Sequence, residues 1–377
     1  MADNKVSSTE NLYLADLHCD SVIQMRRGYD LAQRNEDYQV DIPRLREGGV
    51  GLQVFACALN AREIESDPFA AADGLLDVLH AAIDKNSDSL GLCCNLADSK
   101  RLRAEGRIAA LLALEGGYPL ESDPERLEHF YKRGVRLITL SHQRPTGWCT
   151  SWNQPGEPSE GLTELGRQMI AEMNRLAIIV DISHSSRNTF WKVVEASSKP
   201  IIASHSCADK LSPTERNLDD EQIKAIAEVG GVIGVTFIHF TLRPDFLERF
   251  NAFWSEHKEA GDEIVELYGS AMPEAEKLQR WAKHRELLNE HDRAVADVVP
   301  TLSQVADHLD YIVNLAGVEH VAFGSDFDGV LPLPRGLEDC SKYPNLVAEL
   351  RHRGYSESDL QKICSENFLR VLREVRG

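Results

Sequence analysis

Eight apolar, β-branched segments of strand length recur along the chain, and stretches with helical periodicity separate them. The segments cover residues 12–17, 50–58, 108–114, 135–140, 177–182, 200–203, 231–237 and 320–324. Between the fourth and fifth segments, for example, Leu162, Leu165, Met169 and Met173 fall on one helical face. Strands that alternate with helices are typical of parallel βα units, which restricts the chain to a small set of α/β folds.

Eight strand and helix pairs close naturally into a TIM (β/α)8 barrel, an α/β fold that needs roughly 250 residues. The chain has 377 residues, so the surplus must lie in insertions. The largest is a charged stretch of helical composition at about residues 241–301, between the seventh and eighth segments. The sequence therefore predicts a single domain, residues 1–377, built as a TIM barrel with a helical insertion between strands 7 and 8.

An excess of acidic residues limits the partners of the chain. Asp and Glu number 60 against 41 Lys and Arg, a formal net charge of −19, which repels nucleic acid and anionic membrane surfaces. Residues 1–11 are polar and lack the basic start and apolar run of a secretory signal. The eight cysteines show no zinc-finger or redox-motif spacing. We expect a cytoplasmic protein that binds neither nucleic acid nor membranes.

Ionisable residues stand at the carboxyl ends of six of the eight segments. They are Asp16, His18 and Asp20 at the end of the first segment, Glu115 after the third, His142 after the fourth, His184 after the fifth, His205 after the sixth, and Asp326 and Asp328 after the eighth. In an eight-stranded barrel these ends face one cavity, which holds the active site. The pattern predicts that the side chains meet there.

Histidine and carboxylate ligands are typical of a catalytic zinc site, although Mn, Co or Fe accepts the same set. His18 and Asp20 point to the same side of an extended strand, so both can hold one ion. Glu115 can bridge two ions, which together generate a hydroxide at neutral pH. Taken singly, each histidine is more simply a hydrogen-bonded barrel residue, and Glu115 a helix cap or solvated loop carboxylate. Jointly they favour a metal centre.

The remaining polar residues of interest have structural explanations. Asp16 is expected to support the ligands rather than bind metal, because it lies one step deeper in the strand than His18. Seven further histidines lie in helical or charged contexts, where solvated surface positions are favoured. They are His239, His257, His284, His291, His308, His320 and His352, of which His239 closes the seventh strand.

Six sequence blocks, in order, resemble the membrane dipeptidase family, also called renal dipeptidase or peptidase family M19. The blocks are Asp16–Asp20, Leu114–Gly117, Leu137–His142, Gly161–Thr163 with Val180–Ser185, Ala203–Ser206 with Arg216 and Asn217, and Gly324–Gly329. That family is a branch of the amidohydrolase superfamily with a TIM barrel and two zinc ions. The resemblance implies hydrolysis of dipeptides, often with a D-residue at the C-terminal position, and a homodimer.

The resemblance also implies a role for each matching residue. His18 and Asp20 would hold one zinc ion, His184 and His205 the other, and Glu115 would bridge both. His142 would contact the scissile carbonyl, and Arg216 the free carboxylate of the substrate. Asp326 would carry the proton from the attacking water to the leaving amine, while Asp328 is expected to be structural.

Three features depart from the family pattern. Cys19 stands between two expected ligands where relatives have a small polar residue, and we expect it to pack away from the metals. The seventh strand end, Thr236 to His239, does not match the relatives, and the insertion at 241–301 is long. Both border the predicted pocket, which leaves the side-chain preference and the role of His239 open.

The sequence therefore predicts a zinc-dependent dipeptidase in which a metal-bridging hydroxide attacks the peptide bond, with Asp326, His142 and Glu115 as catalytic residues. Two alternatives stay open. One is another amidohydrolase reaction, such as that of an N-acyl amino acid deacylase or a lactonase, because the barrel and metals do not determine the substrate. The other is a metal-binding or peptide-binding relative without activity.

Overall fold

The computed structural model describes residues 13–154, 161–269 and 274–376 and contains nine parallel strands in those ranges. They are β1 Leu14–Cys19, β2 Val50–Ala58, β3 Leu90–Leu92, β4 Ile108–Glu115, β5 Val135–Thr139, β6 Ile179–Asp181, β7 Ile201–Ser206, β8 Val232–Val235 and β9 Val321–Phe323. Eight of them close into a barrel, because β1 pairs with β2 and β9, and β2 pairs directly with β4. The predicted TIM barrel is confirmed.

Each of the eight predicted segments overlaps a barrel strand, although Leu12 lies outside the described residues and β1, β4 and β7 extend one to three residues beyond the predicted ends. The sequence analysis missed β3, a strand of only three residues with the sequence Leu-Gly-Leu. β3 and β5 pair with different parts of one edge of β4, at residues 108–110 and 112–115 respectively. β3 therefore extends the sheet beside the barrel without interrupting its closure.

Seventeen α-helices lie in the described ranges, and none is long and apolar enough to cross a membrane. They are α1 Ser21–Arg26, α2 Ile42–Glu47, α3 Ala61–Ser66, α4 Pro68–Lys85, α5 Leu96–Ala104, α6 Arg126–Lys132, α7 Glu164–Leu176, α8 Arg187–Ala196, α9 Asp220–Glu228, α10 His239–Leu242, α11 Pro244–Glu256, α12 Lys258–Gly269, α13 Glu274–Val295, α14 Leu302–Ala316, α15 Tyr343–His352, α16 Glu357–Gln361 and α17 Asn367–Arg376.

The period-2 alternation of the strands separates two apolar layers. In β4, Ala109, Leu111 and Ala113 belong to the cluster inside the barrel, whereas the intervening residues pack outward against the helices. Glu115 continues the inward series by two residues, which directs its carboxylate into the barrel mouth. The inner cluster also contains Phe368 and three further apolar side chains of α17. This helix packs into the interior cluster, so the barrel is filled with side chains and offers its carboxyl end for a site.

The predicted insertion is confirmed as mainly helical, with short turns between its helices and after Val295, and with residues 270–273 outside the described ranges. It consists of α10 to α13 and leaves the barrel directly after β8, at the carboxyl end. Phe246, Val295 and Val298 form a small apolar cluster of its own, with Phe240 and Phe250 packed against it. The insertion thus borders the barrel mouth and has its own packing centre.

Three histidines expected at the surface, His284, His291 and His308, are buried, so that prediction is wrong for them. His308 shows the reason. Its Nδ1 accepts a hydrogen bond from the backbone N of Ala208 at 3.1 Å, and its Nε2 lies 3.3 Å from the carbonyl oxygen of Leu242. Burial lowers the pKa of His308 to about 4, so the ring is neutral and joins α14 to the loop after β7 and to the end of α10 through backbone partners.

Candidate metal centre

The barrel brings together every residue that the sequence analysis placed in the site. β1 carries His18, β4 ends at Glu115 and β7 carries His205, while Asp20, His142, His184 and Asp326 lie within a few residues of strand ends. All three strand-borne side chains are buried, with Glu115 only 3% exposed. The carboxyl end of the barrel therefore holds a dense cluster of ionisable groups.

One oxygen of Glu115 is the centre of this cluster. Its Oε1 lies 3.2 Å from Nε2 of His184, 3.3 Å from Nε2 of His205, 3.5 Å from Nε2 of His18 and 3.8 Å from Nε2 of His142. Four imidazoles from four strand ends thus converge on a single carboxylate oxygen. The Nε2 atoms of His184 and His205 are themselves only 2.9 Å apart.

Two further carboxylates lie near the same Nε2 atom of His18. Its Nε2 is 3.9 Å from Oδ2 of Asp20 and 3.8 Å from Oδ1 of Asp326. The potential ligand atoms form three overlapping groups, each with all its atoms within 4.8 Å of one another. The groups are His18 with Glu115 and His205, Glu115 with His142 and His184, and His18 with Asp20 and Asp326.

The residues present fit divalent metal ions. Nδ1 and Nε2 of His18, Nδ1 of His184 and Oδ1 of Asp20 are buried without a hydrogen-bond partner among the described residues, an arrangement that is costly unless something else satisfies them. Imidazole nitrogens mixed with carboxylate oxygens are the ligands that zinc and related transition metals prefer. The shared oxygen of Glu115 allows more than one ion to use the same cluster.

The pKa values of the cluster are displaced in opposite directions. Burial alone would lower the pKa of His18, but nearby carboxylates, Glu115 above all, raise it to about 10. Burial alone would raise the pKa of Glu115, but the imidazoles of His142 and His18 hold it well below its usual range. Burial lowers the pKa of His184 and of His205 well below the usual value, which favours the neutral form that binds metals.

The pKa values of Asp20 and Asp326 change in the opposite direction from that of Glu115. Burial raises the pKa of Asp20 well above its usual value, and the negative charge of Glu115 raises it further. Burial also raises the pKa of Asp326, against the opposing effect of His18. A carboxyl group whose pKa is raised toward neutrality is suited to accept and return a proton.

Unusual backbone conformations occur at the same strand ends. His184 and Asp326 have φ values of 64° and 65°, in the left-handed region that non-glycine residues seldom occupy. Such strain persists only where the surroundings enforce it, and it is concentrated at functional sites. The backbone thus turns sharply at both residues, and the imidazole of His184 lies beside Glu115 while the carboxylate of Asp326 lies beside His18.

Gly329 is a site residue that the sequence analysis missed. A Cβ at this position would collide with Oδ2 of Asp20 and would lie 2.6 Å from Oδ1 of Asp326, closer than carbon and oxygen can pack. The absence of a side chain therefore permits the two carboxylates to approach each other. The Asp328-Gly329 pair after β9 was the available sequence signal.

Tyr118, also missed, positions the loop that carries His142. Its hydroxyl accepts hydrogen bonds from the backbone N of His142 at 3.1 Å and of Arg144 at 3.0 Å, and donates to the carbonyl of Arg144 at 2.6 Å. The imidazole of His142 then meets that of His184 edge-on, with 4.5 Å between ring centroids. His142 is only partly buried, so it is accessible to a substrate.

Arg216 lies beside the metal cluster and is buried. Its Nη1 donates to Oγ of Ser206 at 3.0 Å and its Nη2 to the carbonyl oxygen of His205 at 2.8 Å, while Nε has no hydrogen-bond partner among the described residues. Burial lowers the pKa of Arg216, and the carboxylates of Asp326 and Glu115 oppose that change. Arg216 and His184 line one small cavity. A guanidinium in this position can bind an anionic group next to the clustered histidines and carboxylates.

Three neighbouring residues have structural contacts, in agreement with their expected roles. The carboxylate of Asp16 accepts from the backbone N and the hydroxyl of Ser325 at 2.9 and 2.7 Å. Asp328 accepts from the hydroxyl of Ser21 at 2.5 Å and from the backbone N of Gln39 at 2.7 Å. Cys19 is buried in the outer apolar cluster. The contacts of Asp16 and Asp328 fix the chain segments that carry the clustered histidines and carboxylates.

The family model of membrane dipeptidases, peptidase family M19, matches residues 5–377. The chain belongs to this family. A curated relative, dipeptidase aclJ of Aspergillus oryzae (strain ATCC 42149 / RIB 40), is 33% identical over 383 residues, which cover 96% of this chain and 78% of the relative. The resemblance stated from the six sequence blocks is therefore confirmed.

Solved structures agree with that assignment. Dipeptidase AC, a metallopeptidase of family M19, has a TM-score of 0.76 and 26% identity, with 97% of this chain and 98% of that chain covered. A metallopeptidase from Rhodobacter sphaeroides, bound to a phosphinate mimic of the dipeptide L-Ala-D-Ala, has a TM-score of 0.76 and 25% identity, with 97% and 99% covered. The chain is a metallopeptidase of the dipeptidase type, and hence a hydrolase.

Proposed function

We propose that the protein is a zinc-dependent dipeptidase that holds two zinc ions and cleaves dipeptides, including those with the L-Xaa-D-Xaa configuration. The observation that carries this proposal is the convergence of four imidazole Nε2 atoms, within 3.8 Å, on one oxygen of Glu115. Support for the stereochemistry comes from the Rhodobacter sphaeroides structure, whose ligand mimics L-Ala-D-Ala.

In this proposal the ligands divide between two ions. His18 and Asp20 hold one ion, His184 and His205 hold the other, and Glu115 contributes to both. A bound zinc pair supplies a hydroxide nucleophile at neutral pH and polarises the carbonyl of the peptide bond. Because the three histidines and Glu115 are buried, their side chains have little freedom and are already oriented for binding.

Asp326 moves the proton. Its Oδ1 lies 3.8 Å from Nε2 of His18, at the edge of the cluster, and burial raises its pKa. A carboxylate with these properties accepts the proton of the attacking water and delivers it to the leaving amine. His142, which is half-buried, donates a hydrogen bond to the carbonyl oxygen as negative charge develops there.

Arg216 selects substrates with a free carboxylate. Its buried guanidinium is held by Ser206 and by the carbonyl of His205, so it is fixed in place before the substrate arrives. Guanidinium pairs with carboxylate in a bidentate geometry that lysine cannot reproduce. With the carboxylate held beside the metals, the peptide bond next to the C-terminus is the one that reaches the reactive centre, and a dipeptide presents its single peptide bond there.

Substitution of Arg216 tests this assignment. We expect Arg216→Ala to lower kcat/KM for dipeptides by about 100-fold or more, because losing one partner of a buried charge pair costs about 2–5 kcal/mol. The same variant should hydrolyse dipeptide amides, which lack the carboxylate, at the wild-type rate. The measurement is kcat/KM for a matched set of L,L-dipeptides, L,D-dipeptides and their C-terminal amides.

Arg144→Ala is the control, because the Arg144 side chain is on the surface and pairs with Glu65. It should leave every substrate within about two-fold of the wild-type rate, as surface ion pairs contribute little. An equal loss for carboxylates and amides in Arg216→Ala would contradict the proposed role. A wild-type enzyme that opens lactones or deacylates N-acyl amino acids, yet leaves all dipeptides intact, would instead support the alternative of another amidohydrolase reaction.

A further inference from the structure

A buried carboxylate is connected by hydrogen bonds to His205, one of the proposed metal ligands. Asp181 is the last residue of β6, and its side chain is shielded from solvent. Its Oδ2 accepts hydrogen bonds from the hydroxyls of Thr139 and Ser204, both at 2.6 Å. Its Oδ1 accepts from the backbone N of Ser183 at 3.0 Å and of Ser204 at 2.8 Å. Four donors from three strand ends therefore fix this carboxylate.

The hydroxyl of Ser204 connects Asp181 to His205. Ser204 Oγ lies 2.7 Å from Nδ1 of His205. A serine hydroxyl has a single proton to donate, and a carboxylate can only accept. Because Ser204 gives its proton to Asp181, its oxygen must accept from His205, so the His205 proton sits on Nδ1. The Nε2 atom, which lies 3.3 Å from Oε1 of Glu115, then presents its lone pair to the cluster.

This arrangement distinguishes His205 from the other two buried imidazoles of the cluster, His18 and His184. The Nδ1 atoms of His18 and His184 have no hydrogen-bond partner among the described residues. The main chain of His205 is also held, because its backbone N donates to the hydroxyl of Ser183 at 3.1 Å. His205 is thus fixed in ring orientation and in tautomer by contacts that do not involve a metal.

We propose that Asp181 is a positioning residue for the metal centre, acting on His205 through the hydroxyl of Ser204. The inference rests on the proposed function, since it requires that His205 binds zinc. Partners that orient a metal-binding histidine contribute about 10-fold to 100-fold in metal affinity. Asp181 touches neither metal nor substrate, so its effect reaches the site only through this relay of hydrogen bonds.

The test compares two substitutions around the same carboxylate oxygen. Ser204→Ala removes the hydroxyl that connects Asp181 to His205. Thr139→Val removes an equally short hydrogen bond to Asp181 that does not connect it to His205. Zinc affinity is measured on metal-stripped protein by competition with a chromophoric chelator, without reference to activity. We expect Ser204→Ala to weaken zinc binding by about 10-fold or more, Thr139→Val to stay within about three-fold of wild type, and Ser204→Thr to restore the affinity.

A second readout needs no substitution of the relay. Nitrogen NMR of the metal-stripped wild-type protein, labelled at histidine, reports which ring nitrogen of His205 carries the proton when no metal bond dictates the tautomer, with His205→Gln used for assignment. A proton on Nδ1 supports the proposal, and a proton on Nε2 overturns it even if Ser204→Ala does not fold. Equal zinc affinities for Ser204→Ala and Thr139→Val would also overturn it, whereas a wild-type protein that binds no zinc would refute the proposed function instead.

Discussion

Replacing Glu115 with glutamine is expected to reduce kcat/KM for dipeptides by about 1000-fold or more, equivalent to about 4 kcal/mol of transition-state stabilisation. The substitution keeps the shape of the side chain but removes the charge on which the imidazoles of His18, His142, His184 and His205 converge. The amide nitrogen cannot bind metal, and one ion or both should be lost. The measurement is kcat/KM together with zinc content per chain.

Glu65→Gln is the matched control, because Glu65 is on the surface and pairs with Arg144. It should retain the wild-type rate and the wild-type zinc content. If Glu115→Gln kept both metals and more than about a tenth of the wild-type kcat/KM, Glu115 would not be the shared ligand that the metal chemistry requires.

Gly329→Ala is expected to lower both zinc affinity and kcat/KM by about 100-fold or more, because ligand displacement at a metal site has large effects. The added methyl group would overlap Oδ2 of Asp20 and come within 2.6 Å of Oδ1 of Asp326. Relief of that overlap must move a carboxylate that the proposal assigns to metal binding or to proton transfer. We expect the far-ultraviolet circular dichroism to be unchanged, because the contact is confined to the site.

Gly74→Ala provides the control for adding a methyl group. Gly74 lies inside α4, and a Cβ there would have no atom within 4 Å. It should leave activity unchanged and raise stability by up to about 1 kcal/mol, because alanine favours helix more than glycine does. A Gly329→Ala enzyme with wild-type zinc affinity and wild-type kcat/KM would show that Asp20 and Asp326 need not lie as close together as the structure places them.

The barrel was predictable because each of its strands has a recognisable sequence pattern. The segments are apolar, β-branched and separated by helical periodicity, and parallel strands covered on both faces have that composition. β3 escaped because three residues with a central glycine carry no period to detect. The burial of His308 was also not predicted. Its partners are backbone groups of Ala208 and Leu242, each more than sixty residues away in the sequence. Backbone groups are common to all residues, so such partners cannot be recognised from residue types.

The site was predictable to the extent that it follows from strand ends. Glu115 and His205 stand where parallel strands of a barrel must deliver their side chains, so their convergence required only the fold. The supporting residues required geometry. Asp181 has one sequence signal, an acidic residue within the apolar run Val180 to Ile182, but its link to His205 depends on Ser204 of the neighbouring strand. For Gly329 the Asp328-Gly329 pair indicates a turn, but its closeness to Asp20 depends on how two loops approach each other, as does the contact of Tyr118 with the His142 loop.

The most direct test of the account measures zinc content and dipeptide hydrolysis on the same samples of wild-type protein. Zinc is first removed with a chelator and then returned stepwise. Removal should lower the rate for L,L- and L,D-dipeptides by about 100-fold or more, since the reaction requires a metal-activated nucleophile. The rate should then recover as zinc is restored, and full recovery should require two ions per chain. A chelated protein with less than about 0.1 zinc ion per chain that still cleaves dipeptides at the full rate would contradict the account.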